Sequence, residues 1–490
     1  MILWVDFETR SRCDLRAKGV YNYAQDASTD VLCMSYAFDD EPVKTWVPEL
    51  TFPENVLNHT GQIRAHNAAF ERLIFWYVLG INFESEQFYC TAAQARANCL
   101  PGSLEDVGRA LSSVMRKDHR GSQLIRLLSV PQADGSFRQD AKLMAEMIAY
   151  CEQDVNAMRA VSNAMRDLSA DELADYHTNE RINDRGVLVD VPLCLAAVRY
   201  SEAEVEEIQA KVVEATDGEI RSVRSPKMRE WVMERVTPEQ LKLMEVDDGK
   251  YSIDKTVRAN LLACEDLAPD VAEVIQCADD LWASSVAKFS RLADLADAED
   301  SRVRGAFVFA GGSATGRASS YGAQVHNFTR KCAAEPDRVR ERMVSGGAVV
   351  PEFGKRVIDV LKAMLRPTII PAKGKVLVVA DWAGIEARVN PWASNCRAGV
   401  SKLELFERGE DVYKVNASAT FHVPYDQIDK EQRQIGKVQE LACGFGGSVG
   451  AFSAMGRVYG VHLPESDARR MVDGWRRANP WAVPYWQDLE

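Results

Sequence analysis

The 490-residue sequence has no CxxC pair among its eleven cysteines, no long apolar run, no internal repeat and no low-complexity tract. Each absence removes a class of protein. Cysteines that are odd in number and scattered from Cys13 to Cys443 give neither a disulfide framework nor a zinc ribbon, and they suit thiols in a reducing cytoplasm. The opening MILWVDFETR carries Asp6 and Glu8 where a secretion signal needs a basic start and an apolar stretch. No later segment reaches the roughly 18 apolar residues of a membrane span, so no membrane partner is expected. Positive charge is also in deficit: 59 Lys and Arg against 72 Asp and Glu give a net charge of −13. Bulk electrostatic coating of a polyanion is thereby excluded, and any polyanion must be met in local basic grooves.

What remains is ample packing material. Hydrophobic residues make up 46 % of the chain and charged residues of mixed sign 27 %, which excludes whole-chain disorder. At about 150 residues per domain the length suggests about three domains. ILWVDFETR and VLCMSYAF (31–38) read as strands, whereas HNAAFERLIFWYVLG turns to helical period. Apolar residues keep helical spacing from Ala141 to Leu168, and Ser169-Ala170-Asp171-Glu172 then offers a helix start, placing a first boundary near 168. Residues 169–300 read as mostly helical, with RGVLVD as an interruption. Composition shifts again at RVRGAFVFAGGSATGRASS, and KVLVVADW (375–382) reads as a second strand of a mixed region at 301–490. The expected class is α/β and α+β, multidomain.

Asp6 and Glu8 lie two apart on a strand, so both carboxylates leave one face, where they can share divalent ions. Alone the pair is a common solvated pattern. Two further features change that: Glu71 opens a helix, and Tyr150 and Asp154 lie at i, i+4 on another, aligning a phenol with a carboxylate. In this order the residues resemble the 3′–5′ proofreading exonucleases of the DEDD superfamily, in the form whose third motif is YxxxD. The resemblance covers about residues 1–166 and implies a ribonuclease H-like domain. It implies that Asp6, Glu8 and Asp154 bind two metal ions, Mg²⁺ or alternatively Mn²⁺, with Glu71 as the second-motif acid where Asp is usual. Tyr150 would orient the attacking water. Phosphodiester hydrolysis by two ions about 3.5–4 Å apart calls for such oxygen ligands.

Near the other end, Asp381 follows the KVLVVA run, with Glu386 and Arg388 close behind. In KEQRQIGKVQELACGFGGSVGAF, Arg433 and Lys437 present two cations one turn apart, with Leu441 and Phe445 continuing that face into a glycine-rich exit. Cations on a helix, aimed at an acid that carries Mg²⁺, form the clamp a triphosphate needs, and apolar neighbours give a base something to pack on. These segments resemble motifs A and B of family A, the bacterial DNA polymerase I family. The resemblance implies that Asp381 is catalytic and binds both metals, and that Glu386 gates against a ribose 2′-hydroxyl. Arg388 of the same motif binds substrate, Arg433 and Lys437 hold the triphosphate, and Lys437 is also catalytic. Leu441 stands for the usual Phe, Phe445 for Tyr and His326 for Gln. Thr315-Gly316-Arg317 and His326-Asn327-Phe328-Thr329-Arg330 resemble the stretch that holds primer and template, giving Thr315, Arg317, Asn327 and Arg330 as contacts. Asp411-Val412-Tyr413 resembles the segment between the two motifs. Arg116, Lys117 and Arg120 are further cations for DNA grip.

The resemblance, of phage type, implies an exonuclease at 1–168, a helical connector or thumb at 169–300, and partial palm and fingers of a right-hand polymerase at 301–490. The family's motif C acid is missing from the reading, since Asp488 and Glu490 have no flanking strand. The expectation is therefore a template-directed DNA polymerase with proofreading whose palm is completed by a further segment or a separate chain. Primer–template DNA and dNTPs are its partners, in the cytoplasm of a bacterial host if phage-encoded. The alternatives are a chain that works only as an exonuclease and a non-catalytic primer–template binding subunit.

Overall fold

In the computed structural model, residues 1–111, 120–247, 249–281 and 286–489 are described; Arg116, Lys117 and Glu490 lie outside them. The chain divides into two compact units, Met1–Leu377 and Val378–Glu490. Among the described residues no helix is long and apolar enough to cross a membrane.

The first unit opens on a five-stranded sheet of β1 (Ile2–Arg10), β2 (Asp30–Phe38), β3 (Lys44–Trp46), β4 (Gln62–Ala65) and β5 (Phe88–Cys90), ordered β3-β2-β1-β4-β5. β1 pairs antiparallel with β2 and parallel with β4, so it is central and its flanking residues are buried. Helix α1 (Ala69–Leu73) continues into a π-helical turn, Ile74–Val78. Phe75 of that turn packs edge-on against Phe7, with ring centres 4.8 Å apart.

Helix α2 (Gly121–Leu128) precedes α3 (Ala141–Asn163), which starts where Asp140 accepts the Lys142 and Leu143 amides. The buried residues of α3 include Met147, Tyr150, Cys151, Asp154, Met158 and Val161, a three-and-four spacing that turns one stripe to the sheet. Helix α4 (Ala170–Arg185) begins with the reciprocal Ser169/Glu172 capping box expected from the sequence, and α5 (Val191–Ala215) follows. A twisted hairpin of β6 (Phe307–Gly312) and β7 (Arg317–Ser320) carries the Thr315-Gly316-Arg317 turn.

The second unit contains no strand among its described residues. Its helices include α6 (Ile385–Ala393), α7 (Arg397–Glu407), α8 (Val412–Phe421), α9 (Lys430–Cys443), α10 (Val449–Val458) and α11 (Glu465–Ala478). Val438, Cys443, Phe452, Met471, Val472, Trp475 and Trp481 form its core. α8 and α9 approach closely at Gly436, where an added Cβ would lie 2.1 Å from the Tyr413 carbonyl oxygen.

Two expectations are corrected here. Residues 375–382 form no strand: Val376, Val378 and Val379 are 81, 89 and 90 % exposed, and the segment pairs with no described strand. Its aliphatic pattern signals β-propensity, but a strand also needs a ladder partner. The helix carrying Arg433 and Lys437 stops at Cys443, so Phe445 lies beyond it and is 65 % exposed instead of extending the face. Gly444, Gly446 and Gly447 break the helix, with Gly446 at φ +78° and Gly447 set against the Ala442 carbonyl.

Candidate active sites

Asp6 and Glu8 leave the same face of β1, and across the ladder Glu8 stands opposite Cys33. Glu8, Glu71, Tyr150 and Asp154 are buried, and Asp6 is half-buried. The five side chains share one electrostatic neighbourhood. Burial first, then the charges of Asp6 and Glu8, push the Glu71 carboxyl well above its ordinary range. Burial, then Asp154, to which its hydroxyl hydrogen-bonds, and then Glu8 raise the Tyr150 phenol far above its usual value. That phenol is held protonated, so it can donate but not act as a base. Sequence-distant elements thus bring together all five residues expected there.

Two neighbours were not foreseen. The Cys151 thiol donates to the Asp6 carbonyl and to Asp6 Oδ2, both at 3.4 Å, tying α3 to β1 beside the acids. Gly121 of α2 lies against the Tyr150 ring, where a Cβ would come within 2.4 Å of ring carbons. A lone glycine or cysteine carries no local signal for such a role.

The donor set fits a hard divalent cation. Glu71 Oε2 is buried with no hydrogen-bond partner among the described residues, and acids of like charge converge around it. The side chains are not drawn into a ligand shell: among the described residues no group of three or more His, Cys, Asp or Glu is arranged to hold a metal ion.

The second unit presents charges differently. Asp381 is exposed, makes no hydrogen bond or ion pair among the described residues, and has no ligand group around it. The residues present there do not build a metal site. Glu386 sits in the first turn of α6; Arg388 donates to the Ala383 carbonyl at 3.1 Å and lies 4.0 Å from the Phe406 ring centre. On α9, Arg433 Nε donates to Asp411 Oδ2 at 2.6 Å, and its guanidinium lies over Tyr413. Lys437 Nζ lies 4.4 Å from the Tyr459 ring centre. Leu441 is half-buried on the same helix.

Beneath α9 lies a buried polar hub that sequence reasoning missed. Lys402 Nζ donates to Glu440 Oε2 (3.0 Å), Asn479 Oδ1 (2.9 Å) and Asn416 Oδ1 (3.4 Å). Glu440 Oε2 also accepts from Asn416 Nδ2 (2.6 Å) and Trp475 Nε1 (3.0 Å). Every ammonium proton has an acceptor, and α7, α8, α9 and α11 are joined at one point.

In the first unit, Thr315, Arg317, Asn327 and Arg330 are exposed on and just after the β6–β7 hairpin. Thr315 Oγ1 donates to the Gly312 carbonyl, and the Asn327 carbonyl accepts from Lys288 Nζ at 2.8 Å. Arg120 is exposed and 3.8 Å from Glu146.

Comparison with known proteins gives the family. The sequence profile of DNA polymerase family A matches residues 196–480. This chain belongs to DNA polymerase family A. A DNA polymerase of Bacillus phage SP02 is 32 % identical over 518 aligned residues, covering 100 % of this chain and 76 % of the relative. Among solved structures, the POL domain of Pol1 from M. smegmatis, in complex with DNA primer-template and dNTP, matches with a TM-score of 0.59. That match has 14 % identity and covers 99 % of this chain and 74 % of the other, a likeness of fold. α8, α9 and α11 of this family A chain all fall inside the matched residues, while β1 to β5 precede them.

Proposed function

We propose that this family A chain is a template-directed DNA polymerase with an N-terminal 3′–5′ exonuclease, acting on primer–template DNA and dNTPs in replication. The observation that carries the exonuclease is the burial of Glu8 of β1, Glu71 of α1 and Asp154 of α3 around Tyr150, with Asp6 beside Glu8 on β1. The sheet order, with an antiparallel first half and a parallel second, supports the ribonuclease H-like assignment of residues 1–168. Asp6, Glu8 and Asp154, with Glu71, would hold Mg²⁺ or Mn²⁺. Divalent ions there would supply an ionised water and neutralise charge on the leaving oxygen. The protonated Tyr150 hydroxyl orients water beside Asp154, while Cys151 fixes the Asp6 carboxylate.

For synthesis, Arg433 and Lys437 grip the triphosphate, α9 offers Leu441 as an apolar surface, and Glu386 excludes the ribose 2′-hydroxyl. Thr315, Arg317, Asn327 and Arg330 hold the primer–template. The grip is electrostatic and reads no base sequence, so affinity falls as salt rises. Residues 169–300 serve as the helical thumb and 301–490 as palm and fingers. A second reading, hydrolysis without synthesis by the chain as it stands, is favoured by one observation: Asp381 is exposed in an unpaired segment with no ligand group around it.

The test uses the 490-residue chain, Mg²⁺ and a 5′-labelled recessed primer on a template, with and without dNTPs. Lengthening with dNTPs that Asp381→Ala abolishes, and shortening without them that Asp6→Ala slows by on the order of 10³-fold, support the full proposal. Shortening alone, stopped by Asp6→Ala, supports the second reading. A primer that neither lengthens nor shortens overturns both.

A further inference from the structure

Arg433 and Lys437 of α9 are not equivalent in the free chain. Lys437 lies on the face of Tyr459 and makes no ion pair among the described residues. Arg433 is already paired with a carboxylate at 2.6 Å, through a contact whose Arg433 and Asp411 side chains are 40 and 28 % exposed. Asp411 is a fixed partner. Its Oδ1 accepts the Tyr413 and Lys414 amides at 3.0 and 3.3 Å as the N-cap of α8, its own amide donates to the Tyr425 hydroxyl, and only Oδ2 takes Arg433.

α8 cannot withdraw that carboxylate by sliding away from α9. Gly436 sets the two backbones in contact, and the buried Lys402–Glu440–Asn416 hub ties the same two helices from within. Both partners therefore stay within reach unless the Arg433 side chain itself turns. Asp411 takes the Nε donor of Arg433 and leaves the Nη groups to phosphate, but a carboxylate that stays beside the guanidinium repels an arriving polyanion.

We propose that Asp411 is a resident counter-ion for Arg433, a latch against which an incoming polyphosphate must compete, and that it thereby sets the affinity of α9 for the dNTP triphosphate. This rests on the reading of α9 as the triphosphate-binding helix. In the latched state Lys437 meets phosphate with no carboxylate on it, whereas Arg433 meets it against the charge of Asp411 and gains its Nε contact only when phosphate replaces that carboxylate. Asp411 acts on binding through Arg433, as an affinity-setting residue, and needs no contact with the reacting atoms.

The test is equilibrium dialysis of dATP with Mg²⁺ against the full chain and its variants. Asp411→Asn and Asp411→Ser both keep a good helix cap and remove the charge. Each is expected to bind about two- to five-fold more tightly than the parent chain, the worth of a half-exposed ion pair. Glu431→Gln removes an equal charge from the exposed first turn of α9 without touching the pair, and is expected to change affinity less. Unaltered or weaker binding in both Asp411 variants, or equal tightening by Glu431→Gln, overturns the latch. Arg433→Ala separates the two ideas. If the parent binds dATP and Arg433→Ala weakens it, the triphosphate reading stands whatever Asp411 does. If the parent binds none, or Arg433→Ala changes nothing, the reading of α9 falls and the latch with it.

Discussion

The carboxylate cluster of the first unit and the cation pair of the second solve the problem of concentrating charge in opposite ways. Around Tyr150 acids of one sign are buried together, and the conflict remains in the fold, as the raised Glu71 carboxyl and the partnerless Glu71 Oε2 show. On α9 Arg433 and Lys437 stay half-exposed, and opposite charge or a π-face compensates each of the two in place. The burden of charge in the second unit is moved down a layer, to Lys402 and Glu440, where three acceptors meet the ammonium and three donors meet Glu440 Oε2. On the proposed function, the acid cluster would store repulsion that a cation relieves, whereas the cation pair would have to give up partners to bind an anion.

The largest effect should come from breaking the compensated charge. Lys402→Met leaves Glu440 as a buried carboxylate without its cation, which should cost about 3–5 kcal/mol. Trp475 donates to Glu440 and Trp481 to Asn479, so tryptophan fluorescence during denaturant unfolding reads the loss directly. Lys402→Met combined with Glu440→Leu should recover part of it, because the pair leaves together. A single variant as stable as the parent would show that the hub is not compensated charge at all.

The uncompensated charge predicts the opposite sign. Glu71 has a raised folded-state pKa, so its contribution to stability is fully present below the ordinary carboxyl range and is lost as pH rises toward and through that raised value. Glu71→Gln has no such loss. Without divalent ions it should be more stable than the parent by about 1 kcal/mol at neutral pH, with the gap shrinking toward about pH 5. Thermal unfolding at a series of pH values checks this, and a gap that grows on acidification would refute it. Added Mg²⁺ should raise the melting temperature of the parent more than that of the variant, since a cation neutralises the same repulsion.

The contrast also explains what could be read from the residues alone. The carboxylate cluster was legible because each member sits on an element with a clean period: Asp6 and Glu8 on a strand, Tyr150 and Asp154 on the buried stripe of α3. The cation pair was legible for the same reason. The hub was not, since Lys402 meets partners 14, 38 and 77 positions away and no local pattern marks a lysine that will be buried. Phe445 was misplaced because glycines end the helix two residues earlier than its apolar spacing suggests. The segment before Asp381 was misread because a β-branched apolar run reports what residues can do in a ladder, and no described strand offers one.

That segment gives the smallest effect on stability and a sharp check on its exposure. Val376 and Val378 lie two apart in a segment with no assigned secondary structure, and both are almost wholly in solvent. Replacing either by Lys removes no packed neighbour, so unfolding free energy should move by less than about 0.5 kcal/mol. The run VLVVA is short, β-prone and uncharged, the composition that pairs with copies of itself when left open, and a lysine on its face opposes that pairing. Light scattering across a protein concentration series should therefore show less self-association for Val376→Lys and Val378→Lys than for the parent. A loss of more than about 1 kcal/mol in either variant would mean that these valines are packed in solution, because a fully exposed side chain has no such energy to lose.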